Sequence, residues 1–149
     1  MAVFNQSLPL SIGCDHAGFS YKTSLVPWLN QLGWQVNDAG TYDTASVDYP
    51  DYVHPVANSV EQEASAFGIL ICGSGNGVCM TANKHAGIRA GLCWNTEVAK
   101  LIRQHNNANI ICLPARFVLL DEAREMLTIF MQTPFEGGRH QQRIDKMTC

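Results

Sequence analysis

The sequence predicts an α/β fold, a five-stranded parallel sheet with helices on both faces. Three observations predict it. Short, almost wholly apolar runs recur along the chain, segments of helical period separate them, and no repeat, low-complexity tract or linker interrupts the alternation. With 149 residues, 46% of them hydrophobic, the chain has enough apolar mass for one core without disulfide or metal support. One domain over 1–149 is expected, with a C-terminal arm from about residue 135.

The elements follow in order. LPLSIGC (8–14), WQVND (34–38), FGILIC (67–72), IRAGLC (88–93) and NIICL (109–113) are too short for helices and suit strands buried on both faces. Tyr21, Leu25, Trp28 and Leu32 fall on one helical stripe; so do Val98, Leu101 and Ile102, and then Leu120, Ala123, Leu127 and Phe130. Pro27 inside the first of these predicts a kink or an early start there. Alternating strand and helix gives a parallel sheet, and ligands of such sheets bind beyond the carboxyl ends of the strands. That edge receives Cys14, Asp15 and His16 from strand 1, Cys72 and the turn Gly73-Ser74-Gly75-Asn76-Gly77 from strand 3, and Pro114 and Arg116 from strand 5.

Composition excludes several classes. Thirteen acidic against ten basic residues give a net charge of -3, the opposite of a nucleic-acid footprint. No apolar run approaches the roughly 18 residues of a membrane helix, and Lys22 is the first basic residue, too late for a secretory signal's charged start, so a cytosolic protein is expected. Cys14, Cys72, Cys79, Cys93, Cys112 and Cys149 form no CxxC pair and read as reduced thiols, with Cys79, Cys93 and Cys112 as small buried hydrophobes.

Glycines between a buried strand and a following helix let backbone amides converge on an anion. CGSGNG therefore reads as an anion site or as a plain tight turn; no Walker lysine follows it, and a dinucleotide fingerprint would follow the first strand. Cys72 at its mouth is either a thiolate base or nucleophile stabilised by the helix start, or a buried strand-end cysteine; Ser74 is a cap or a proton relay. Asp15-His16 reads as an acid/base pair, a metal pair or a helix cap. His54, His85, His105 and His140 show no zinc spacing, and no metal or other cofactor is expected. Lys84-His85 reads as a solvated helix end and Arg89 as a strand-edge charge. If the segment after Gly138 is helical, Arg139 and Arg143 point the same way, as a phosphate clamp or as ordinary surface charge. A helix of about ten residues is about 15 Å long, so His105 and Asn106 close theirs at the opposite sheet edge from Cys72. A catalytic His105 would therefore serve a neighbouring subunit's site; otherwise it is a histidine in its own helix dipole.

GCDHAG, DYPDY, ILICGSGNGVCMTANKHAGIRAGLC, RQHNNANI and EGGRHQQR, in this order, resemble the ribose-5-phosphate isomerase B family, which includes galactose-6-phosphate isomerase subunits. The resemblance covers the chain from about residue 8. It implies a Rossmann-like three-layer αβα sandwich, a metal-free interconversion of aldose and ketose phosphates through an enediolate, and a homodimer or dimer of dimers sharing each active site across an interface. It further implies Cys72 as the base at C2, Ser74 as assistant in oxygen proton transfers, amides of Gly73, Gly75, Asn76 and Gly77 as enediolate donors, and Asp15 with His105 as the ring-opening pair. His16, Arg116, Arg139 and Arg143 resemble the phosphate contacts, Tyr49 and Asn106 the contacts to sugar hydroxyls. Some members carry a glutamate base where Val78 stands, so this chain resembles the cysteine version. Cys79-Met80 is an unusual filling behind the turn.

The first expectation is thus an isomerase of ribose 5-phosphate and ribulose 5-phosphate. Its alternatives are a hexose 6-phosphate isomerase of allose or galactose type, a module that binds a phosphosugar without turnover, and a thiol redox protein, which lacks a resolving cysteine at short spacing.

Overall fold

The structure, a computed structural model, describes residues 3–148; the reduced-thiol expectation for Cys149 lies outside them. The strands are β1 (Leu10–Cys14), β2 (Val36–Asp38), β3 (Gly68–Cys72), β4 (Ala90–Leu92) and β5 (Ile110–Pro114), all parallel in the order β2-β1-β3-β5-β4. β1 to β4 each lie within an expected apolar run, and β5 extends one residue past its run, to Pro114. The helices are α1 (Phe19–Gln31), α2 (Pro50–Glu61), α3 (Asn76–Ala82), α4 (Thr96–Asn106), α5 (Leu120–Gln132) and α6 (Arg139–Ile144).

Strand side chains alternate between two cores, as the pleat requires. Leu10, Ile12, Cys14, Ile69, Ile71, Ile111 and Leu113 meet α1, α4 and α5 on one face, where Phe67, Phe130 and Trp34 fill the largest volume. Leu70, Cys72, Ile110 and Cys112 meet α2 and α3 on the other. β1, β3 and β5 are buried throughout, which is why they read as unbroken apolar runs. The expected three-layer αβα sandwich is thus the observed architecture. Among the described residues no helix is long and apolar enough to cross a membrane.

Three helical expectations are corrected. On α1 the fully buried positions are Lys22, Leu25 and Leu29; Tyr21 and Trp28 of the expected stripe pack partly covered against the same core, and Leu32 is exposed because the helix ends at Gln31. α1 runs without a break through Pro27, which lies on its solvent side, where the carbonyl left unpaired by the missing N–H can reach water. On α4 the fully buried positions are Ala99 and Arg103, with Val98 and Ile102 only partly covered.

Candidate active site

β3 delivers Cys72 to the carboxyl edge of the sheet, and the chain then turns through Gly75, whose φ of 75° is the left-handed conformation glycine adopts without strain. The turn folds back on the cysteine: the Gly75 amide donates to Cys72 Sγ at 3.2 Å. Ser74 is exposed, and its Oγ accepts from the Asn76 amide at 3.3 Å. The segment after β5 locks the turn from below, with the amides of Ala115 and Arg116 donating to the carbonyls of Cys72 and Gly73 at 2.9 and 3.0 Å. The Arg116 side chain lies over Gly73, where any Cβ would meet Nη1 at 3.2 Å.

β1 contributes from the other side. The Asp15 amide donates to the Ile71 carbonyl at 3.2 Å, and Asp15 Oδ1 accepts from the amides of Ala17 and Gly18 at 2.9 and 3.2 Å, so its carboxylate holds the turn that leads into α1; the N-cap of α1 itself is Gly18, with no side-chain cap bond. His16 Nδ1 accepts from the Val47 amide at 3.3 Å, tying the loop before α2 to the edge. Tyr49 closes the group: its ring fills the space a Cβ on Gly77 would need, at 2.5 Å. A cavity of about 420 Å³ opens on the β4 side of the turn, lined by Ser74, Asn76, Leu92, Trp94, Pro114 and Phe117; Cys72, Asp15, His16, Tyr49 and Arg116 are not in its wall. Cys72 itself is 5% exposed. Its neighbour Cys14 is pushed up to about 11 by burial, against the pull of Lys22, and stays a thiol.

His105, Asn106, Arg139 and Arg143 are not in this group. Arg89, immediately before β4, donates from Nε to the Asn106 and Asn107 carbonyls at 3.0 and 3.2 Å, which pins the end of α4 to the amino edge of the sheet. Arg89 is therefore a strand-edge charge that also clamps a helix terminus. α6 joins α4 there: the Glu136 amide donates to the Gln104 carbonyl at 3.1 Å, and the rings of His105 and His140 stack at 4.2 Å. Arg139 and Arg143, four apart on α6, are both exposed. The larger cleft, about 780 Å³, lies at this edge, with Arg89, Gly91, Ile102, Asn106 and Ile144 in its wall.

Spacing gave no metal ligands, yet the fold brings ligand atoms of His105, Glu136 and His140 within 4.8 Å of one another, a set able to hold a divalent cation. Sequence reasoning also missed His85, which bonds His54 at 2.8 Å and Glu61 at 3.4 Å instead of being solvated. Nothing in its spacing marks that contact, because the partners lie on α2.

The family described as Ribose/Galactose Isomerase matches this chain over residues 10–147. Ribose-5-phosphate isomerase B of Escherichia coli (strain K12) is 42% identical over 140 residues, 94% of each chain. Among solved structures, ribose-5-phosphate isomerase B from Clostridium thermocellum is 41% identical with a TM-score of 0.92, covering 94% of this chain and 95% of that one. The enzyme from Mycoplasma genitalium with bound ribulose 5-phosphate is 43% identical with a TM-score of 0.91, covering 96% and 95%. By sequence, fold and the composition of the glycine-turn edge, the chain belongs to the ribose/galactose isomerase family and is an isomerase.

Proposed function

We propose that the chain interconverts ribose 5-phosphate and ribulose 5-phosphate through an enediolate, with Cys72 as the base. The observation that carries this reading is the sulfur held against the Gly75 amide, at the strand edge where Asp15, His16, Tyr49 and Arg116 also converge. A similar protein of Mycoplasma genitalium carries bound ribulose 5-phosphate, which supports the substrate class.

The sugar arrives mainly as a ring. Asp15 and His105 act as the acid/base pair that moves a proton onto the ring oxygen and takes one from the O1 hydroxyl, freeing the aldehyde. The Cys72 thiolate then removes the C2 proton, and the electron pair shifts to O1. Amides of Gly73, Gly75, Asn76 and Gly77 take the developing oxyanion, each worth about 3 kcal/mol in the transition state. Ser74 moves the proton between O2 and O1, and Cys72 returns its proton to C1. The charge is met by peptide dipoles, so this scheme needs neither metal nor other cofactor. His16, Arg116, Arg139 and Arg143 hold the phosphate; Tyr49 and Asn106 take hydroxyls.

Because His105, Asn106, Arg139 and Arg143 sit at the far edge from Cys72, the site is completed by a second copy of the chain, in a homodimer or a dimer of dimers working in the cytosol. An NMR time course with ribose 5-phosphate in heavy water tests the reading. Conversion with deuterium entering from solvent is expected; neither conversion nor exchange would overturn it, and faster turnover of allose or galactose 6-phosphate would move the assignment to a hexose.

A further inference from the structure

We propose that His105, Glu136 and His140 bind a divalent cation of the zinc class, and that its capture of His105 arrests isomerisation. The arrest rests on the acid/base role given to His105 in the proposed function; the binding site does not. Two of the three ligands come from one short turn. Gly137 and Gly138 take φ values of 67° and 56°, so the chain reverses between Glu136 and His140, and the His140 amide closes the turn on the Gly137 carbonyl at 3.1 Å. Glu136 Oε2 thereby comes to 3.4 Å from His140 Nε2. The third ligand is at the end of α4, which the Glu136 amide joins through the Gln104 carbonyl at 3.1 Å, one residue before His105. The His105 ring lies over that of His140 with centroids 4.2 Å apart and planes 13° from parallel, and ligand atoms of all three residues fall within 4.8 Å of one another.

A tetrahedral ion with bonds of about 2.0–2.1 Å sets its ligand atoms about 3.3 Å apart. The Glu136–His140 pair already spans one such edge. His140 is buried and fixed by its packing, whereas His105 is half-buried, so a turn of its ring closes the remaining edges. Glu136, 47% exposed, leaves the fourth position open to water. Two imidazoles and one carboxylate suit zinc and its neighbours in the first transition row; magnesium prefers oxygen ligands and keeps its waters. On binding, the ion gives up a water for the lone pair of His105, and any proton on that nitrogen passes to solvent. A metallated nitrogen can neither accept nor return a proton, so ring opening stops. No electron is transferred, and removing the ion restores the imidazole.

Equilibrium dialysis of the full chain against zinc, with turnover of ribose 5-phosphate measured in parallel, tests the site and the arrest separately. The native chain and Cys72→Ala are each expected to hold one zinc ion that excess magnesium does not displace. Glu136→Gln and His140→Gln should bind it at least about tenfold more weakly, since even an outer partner of a metal site is worth that much. Both should keep their zinc-free turnover and lose the inhibition that zinc causes in the native chain and a chelator reverses. Glu136 is exposed, so its variant carries the test even if His140→Gln folds poorly. Equal zinc affinity in native chain and Glu136→Gln, loss of the ion in Cys72→Ala, or displacement by magnesium would overturn the site. Zinc held by the three residues with turnover undiminished would overturn the arrest; full activity in His105→Ala would then trace that failure to the role given to His105.

Discussion

Two cysteines end adjacent strands, yet only one meets a backbone donor at the glycine turn. Cys14 points into the α1 face and is kept protonated by burial, whereas Cys72 points to the opposite face and touches the Gly75 amide. Replacing Cys72→Ala is expected to lower kcat by at least about a thousandfold while ribose 5-phosphate still binds, as steady-state kinetics and isothermal titration will report; unchanged turnover excludes the sulfur as base. A second residue-scale prediction concerns Lys22, 2% exposed, whose ammonium pairs with Asp38 and lies 4.8 Å from the Tyr42 ring. Asp38→Asn strands a buried cation and should cost about 3 kcal/mol, more than Lys22→Met, which removes the charge together with its need for a partner. Urea melts of the two variants give the order.

At the scale of elements, the proposed chemistry rests on the glycine turn and the α4–α6 contact. Gly75→Ala puts a Cβ 2.4 Å from Leu92 Cδ1 at a positive φ, so the turn must move. A loss of about 1–2 kcal/mol in stability is expected, together with a larger fall in kcat than in substrate affinity, since the proposed mechanism makes the displaced amide a transition-state donor. His140 is held below the ordinary imidazole range by burial, then by His105 and Arg139. The unfolded chain therefore gains a proton near pH 6.5 that the folded chain does not. Stability is full above that pH and falls as pH drops toward the folded value. Urea midpoints should decline more between about pH 7.5 and about pH 5.5 in the native chain than in His140→Gln, and equal declines would remove His140 as the cause.

The same elements show what could be read in advance. β1, β3 and β5 were legible because burial on both faces leaves no polar position to confuse the pattern. α2 was not read, although Val53, Val56, Ala57 and Val60 form a stripe, because Pro50 and Pro55 look like breakers until one is seen at the first turn and the other on the solvent side. Lys22 and Arg103 escaped notice for another reason: their partners, Asp38 for one and the Thr133 carbonyl for the other, come from elements that only tertiary packing brings close. Of the candidate site, the glycine-turn edge was visible strand by strand. The His105–Glu136–His140 group was not, since it depends on where α6 lands.

For the whole molecule the decisive fact is the separation of the two residue sets across a strand length, about 16 Å for five residues. Mixing Cys72→Ala with His105→Ala under conditions of subunit exchange is expected to restore about a quarter of native activity, because half the dimers are then mixed and each holds one intact site of two. No recovery under demonstrated exchange would locate every group in one chain.

Arg89 fastening α4 to the amino edge thus has a reach beyond its own hydrogen bonds. Under the proposed shared site a chain whose halves face away from each other does not turn over alone, so specific activity should decline on dilution, by mass action, toward a floor set by how tightly two copies associate.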